Sequence, residues 1–101
     1  MKYKAIIKFL GNEEGGRITP PMSGFRPQIK IGNETTSCII QLLDDNSNES
    51  IMSLGIEHKV SIQLVFEKIY SEKLNCMLAE GNNAIELYEG SKLIGIGKIK
   101  V

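Results

Sequence analysis

Hydrophobic and polar residues alternate along much of the chain with a period of two. Tyr3, Ala5, Ile7 and Phe9 fall on one face, and Lys2, Lys4, Ile6 and Lys8 on the other. That is the pattern of a strand with one side in a core and one in water. Residues 58–69 repeat it: Val60, Ile62, Leu64 and Phe66 point one way, and Lys59, Ser61, Gln63, Val65 and Glu67 the other. The spacing predicts that Phe66 lies in the core with the inner face of the first strand. The last ten residues place Leu93, Ile99 and Val101 on one face and Lys92, Lys98 and Lys100 on the other. Gly95 and Gly97 share the Leu93 face, where missing side chains suit strong curvature or a close approach of two backbones.

Shorter strands are predicted at 27–32, 35–43 and 84–89, all rich in β-branched residues. Glu89-Gly90-Ser91-Lys92 reads as a hairpin turn, Asp44 to Ser50 as a polar loop, and Gly81-Asn82-Asn83 as another turn. Residues 72–80 fit two helical turns or a short strand. About six short strands separated by turn signals predict a single all-β domain over 1–101, a small antiparallel barrel or sandwich.

Charge adds an asymmetry that the total hides. Twelve basic and twelve acidic residues cancel over 101 residues. Residues 1–32 nevertheless carry +4, residues 33–89 carry −7 and residues 90–101 carry +3. The balance excludes a histone-like binder and an acidic disordered tail, but not a local basic patch. Two cysteines, Cys38 and Cys76, are too few for a disulfide-stapled fold. The opening apolar run is interrupted by Lys8 and lacks a signal-peptide core, and no apolar stretch has the length of a membrane span. The expectation is a cytoplasmic protein with reduced thiols and no membrane partner.

Catalytic chemistry finds little support. Gly90 to Gly95 has the two-glycine spacing of a phosphate-binding loop, but Ile96 and Gly97 stand where Lys and Ser or Thr are needed. One histidine, His58, and two distant cysteines give no metal-site spacing. Cys38, among Ile39 and Ile40, reads as a small buried hydrophobe. Glu13-Glu14 and Asp44-Asp45 lie in polar turns. No cofactor, metal, nucleotide or catalytic residue is expected.

The informative stretch is 13–31. Gly15 and Gly16 permit positive φ, Pro20, Pro21 and Pro27 stiffen the chain, and Arg17 and Arg26 place two guanidinium forks within ten residues. On one reading the arginines pair with Glu13 or Glu14 and lace the loop down. On the other it is a stiff recognition loop. Most surface charges are solvated or locally paired, which favours the first.

The residues Glu14-Gly15-Gly16-Arg17-Ile18-Thr19-Pro20 and Gly24-Phe25-Arg26-Pro27-Gln28-Ile29 resemble the start of the third domain of the elongation factor Tu family, which reads EGGRHTP and GYRPQF. Residues 85–98 resemble its FAIREGGRTVGAGVV ending, and Ser53-Leu54-Gly55 sits where the family has a PGD turn. Ile18 replaces the family's His, Pro21-Met22 an aromatic pair, and Ser91-Lys92 a Gly-Arg. Residues 71–83 differ from the family's acidic loop.

The resemblance implies a free-standing six-stranded antiparallel β-barrel without GTP hydrolysis, since the family's nucleotide site lies in another domain. It also implies a non-catalytic module that docks a protein partner, such as a GTPase or translation factor. The expected contacts are Arg17, Thr19, Phe25, Arg26 and Gln28, with Gln28 matching a residue at the family's interface with its nucleotide domain. The alternative expectation is tRNA binding by Lys2, Lys4, Lys8, Lys98 and Lys100. The acidic middle of the chain weighs against it.

Overall fold

Six strands of alternating pattern need a partner on every edge, and in the computed structural model they find one by closing on themselves. Residues 2–43 and 50–100 are described. The strands are β1 (Lys2–Phe9), β2 (Gln28–Ile31), β3 (Glu34–Leu42), β4 (Glu57–Leu64), β5 (Ala84–Glu89) and β6 (Lys92–Ile99). They form a closed antiparallel barrel in the order β1-β4-β3-β2-β5-β6, with β6 returning to β1. Closure removes the unpaired edges that an open sheet of this size would leave. Asp44-Asp45, most of the Asp44–Ser50 loop and Val101 lie outside the described residues.

The alternation becomes burial. Tyr3, Ala5, Ile7 and Phe9 line the interior with Val60, Ile62 and Leu64, and Ile29, Ile31, Cys38, Ile40, Leu87 and Ile99 are buried in the same cluster. The β1–β4 register sets Tyr3 opposite Ile62 and Ala5 opposite Val60, so the two inner faces coincide.

Two expectations are corrected. Residues 58–69 are not one strand. β4 ends at Leu64, and a helix, α1 (Glu67–Ala79), follows a turn at Val65-Phe66. Phe66 is 54% exposed and is not a core residue. The helix resolves the ambiguity of 72–80 and begins five residues earlier. Its anchoring positions are Tyr70, Leu74, Met77 and Leu78, a helical stripe with Leu74 fully buried.

The second correction is in β6. Leu93 is only half-buried while Ile94 is fully buried. Leu87 pairs with Gly95 but Tyr88 pairs with Leu93, so Ile94 is the extra residue of a β-bulge. The bulge shifts the phase of the alternation by one. It also frees the Ile94 carbonyl to accept from the Leu10 N–H, 2.8 Å away.

Both ends of the barrel are plugged. α1 connects the end of β4 to the start of β5 and crosses that end, with the Tyr3 hydroxyl donating to Asn75 Oδ1 at 3.0 Å and Lys73 paired with Glu34 of β3. The opposite end, where β1 finishes, is closed by the long segment between β1 and β2.

Candidate functional site

That closing segment, residues 10–27, contains most of the residues singled out in the sequence. It holds no regular element beyond a single 3-10 turn at Asn12–Glu14, yet its backbone is closely bonded. The Arg17 N–H donates to Leu10 O, Gly24 N–H to Ile40 O, and Ile40 N–H to Phe25 O. Met52 N–H donates to Pro21 O, and Ser23 N–H to Ser50 O. The Ser23 hydroxyl oxygen accepts from Leu42 N–H at 3.0 Å. Buried backbone groups demand such partners, and this is where the segment finds them.

Arg17 is the hub of the segment. Neither arginine pairs with Glu13 or Glu14 among the described ion pairs. Instead Arg17 reaches across to β5, where its Nη1 lies 2.6 Å from Glu89 Oε1. Its Nε donates to Thr19 O at 2.9 Å, and its guanidinium sits 4.7 Å from the centre of the Phe25 ring. Phe25 in turn packs edge-on against Phe9, with ring centres 6.0 Å apart. The side chain of Arg17 is thus occupied within the chain: it ties the loop to the barrel. Replacing Arg17 with Met, which keeps the stem but loses the fork, should lower stability by about 1–2 kcal/mol, the sum of a partly exposed ion pair and a cation–π contact. Chemical denaturation would measure it.

Gly15 and Gly16 play different parts. Gly15 has φ +78, as expected, whereas Gly16 does not have positive φ. Gly16 is required by space instead: a Cβ there would lie 2.1 Å from Leu10 O.

The other expected contact residues separate. Thr19 and Arg26 are exposed, and Arg26 has no ion-pair partner among the described residues. Gln28, on β2, faces away from the loop toward α1. There it lines a groove of about 370 Å³ with Thr35, Ser37, Phe66, Ile69 and Tyr70.

Sequence reading missed the apolar residues of this end. Ile18 is 78% exposed and Met22 58%. An isolated antiparallel bridge sets Met22 beside Ile51, which is 46% exposed. The only sequence signal was that Ile18 and Met22 stand in a loop otherwise polar and Pro-rich. Nothing in the sequence places Ile51 beside Met22.

The basic ends of the chain do come together. β1 and β6 are neighbours, and Lys100 N–H donates to Lys4 O at 2.8 Å. Lys2, Lys4, Lys8, Lys98 and Lys100 share the outer wall, joined by Lys59 of β4 opposite Ile6.

Among the described residues no group of three His, Cys, Asp or Glu could hold a metal ion, and no helix is long and apolar enough to cross a membrane. Gly90 turns directly into β6, so no helix N-terminus follows it to receive a phosphate. His58 is half-buried, its Nε2 2.8 Å from Ser53 O.

Cys38 is fully buried, as its neighbours suggested, and burial pushes its thiol up to about 12. Cys76 is exposed on α1. A thiol reagent should therefore modify Cys76 in the native protein and reach Cys38 only on unfolding. From about pH 9 to about 12 the unfolded chain releases the Cys38 proton and the folded one does not. Stability should fall over that window by up to about 1.4 kcal/mol per pH unit, and Cys38→Val should remove that part of the slope. No protein-family model matches the chain.

Proposed function

We propose that this barrel is a non-catalytic binding module, resembling the third domain of elongation factor Tu, that docks a protein partner through the end closed by residues 13–28. One observation carries the reading: Met22 and Ile51 stand side by side and exposed on a frame of backbone hydrogen bonds. Large apolar side chains held rigidly in water gain from being covered, and a rigid loop loses little entropy when it is. Ile18 belongs to the same segment, and Thr19 and Arg26 supply polar contacts at its margin. Arg17 and Phe25 hold the loop in shape rather than reach the partner. Gln28 belongs to a different surface.

The test compares capture from native extract by the wild type and by a Met22→Glu, Ile51→Glu variant. A protein retained by the wild type and by Lys92→Gln, but lost by the double variant, supports this docking end. Capture indifferent to the double variant refutes it. The barrel alone should neither bind nor hydrolyse GTP, because its sequence has no glycine-rich loop followed by Lys and Ser or Thr. Calorimetry with GTP and Mg²⁺ checks this; micromolar affinity would contradict it.

A further inference from the structure

The outer wall formed by β1, β6 and β5 carries a shallow trough of about 540 Å³. Its floor is apolar: Ile6 is half-buried, Ile96 is 42% exposed and Ala84 is exposed. Lys98 lies across from Ile6 on one side and from Ala84 on the other. Lys59 flanks Ile6 from β4, and Lys4 and Lys100 continue the basic surface beyond it. At the other end, Glu57 stands opposite Lys8 and Glu86 opposite Ile96. None of these lysines is within ion-pair distance of a carboxylate among the described residues. Their stems rise from fixed positions on the sheet and their ammonium groups are left to water, so an anionic partner displaces only solvent.

The surroundings select among anions. A phosphate backbone is a continuous line of charge with no group to place on Ile6 and Ile96, whereas a peptide can keep its carboxylates on the lysines and set apolar side chains between them and Glu57 and Glu86. The patch has lysines rather than arginine forks and no exposed aromatic ring on which a base could stack. The geometry points to a docking surface for an acidic segment of another protein bearing apolar side chains: the apolar groups fill the trough and the carboxylates meet Lys4, Lys59 and Lys98. The inference goes beyond the docking end proposed above and does not rest on it, since the two surfaces share no residue.

The probes are a labelled Glu-rich peptide with two Leu residues, the same peptide with Ser for Leu, and a short RNA duplex, each titrated against the full chain at low and moderate salt. The Leu peptide should bind best and weaken as salt rises. Lys59→Gln with Lys98→Gln should weaken it about tenfold, or ~1.4 kcal/mol. Ile96→Ser should bring the Leu peptide down to the level of the Ser peptide. If Ile96→Ser lowers the melting temperature below the assay, Ile96→Thr keeps the β-branch and replaces it. Tighter binding of the RNA duplex would assign the face to nucleic acid and overturn the inference. Equal affinity for the two peptides, or no peptide binding at low salt, would overturn it as well.

Discussion

Replacing Phe9 with Ala should destabilise the barrel by about 3–5 kcal/mol, whereas Phe66→Ala should cost less than about 1 kcal/mol. The two phenylalanines occupy equivalent places in the alternating pattern, so the contrast tests which strand carries its alternation to the end. Phe9 is fully buried where the strand end meets the closing loop, and its ring supports Phe25 and, through it, Arg17. Its removal leaves a cavity at the point where loop and barrel join. Phe66 sits on the turn before α1 and is mostly in water. A domain of this size has on the order of 5–15 kcal/mol to lose, so Phe9→Ala should visibly lower the melting temperature and loosen the 10–27 segment toward proteolysis. Equal losses for the two variants would contradict the helix and its turn.

Gly97→Ala should be as damaging, although it adds one methyl group. A Cβ at Gly97 would lie 2.2 Å from the Ile6 carbonyl oxygen and 3.0 Å from Ile7 Cα, both on the backbone of β1. Backbone cannot rotate aside as a flexible side chain does, so β1 and β6 must separate where they pair. The expected loss is about 3 kcal/mol, the upper end of the range for overpacking. Hydrogen exchange should show it concentrated in the amides that link these two strands. At Gly95 the nearest atoms are the side-chain methyl of Leu87 and the ring edge of Phe9, both at 3.3 Å, and Gly95→Ala should be the milder change.

Strands with one wet face are legible because every second residue reports its surroundings, and β1, β3, β5 and most of β4 could be read within a residue or two. The reading fails where that periodicity is interrupted from elsewhere in the fold. The alternation of β4 runs on through Val65 and Phe66 by coincidence, and the helical stripe Tyr70, Leu74, Met77 becomes distinct only after them. The bulge at Ile94 is fixed by the register of β5 and by the Leu10 amide, neither of which is local to it. The barrel-end site was partly legible. The stiffness of 13–28 follows from its prolines and its tight turns from its glycines, but the partner of Arg17 is Glu89, 72 residues away. Nearby carboxylates at Glu13 and Glu14 made a local pair look sufficient. The exposed Met22–Ile51 pair depends on a contact between two irregular segments, for which the sequence has no period to read.

The ladder that closes the barrel joins the first strand of the sequence to the last. β4 pairs with β1, and β2 pairs with β3, well before β6 exists on a growing chain. Until β6 arrives, one edge of β1 has no neighbour, and its outward Lys2, Lys4 and Lys8 discourage that edge from recruiting another copy. Contacts of such large sequence separation close late and slowly, so folding should proceed on the millisecond-to-second scale of high-contact-order β proteins. Synthesis halted before residue 92 should leave an open, five-stranded intermediate whose susceptibility to aggregation rises when those lysines are neutralised.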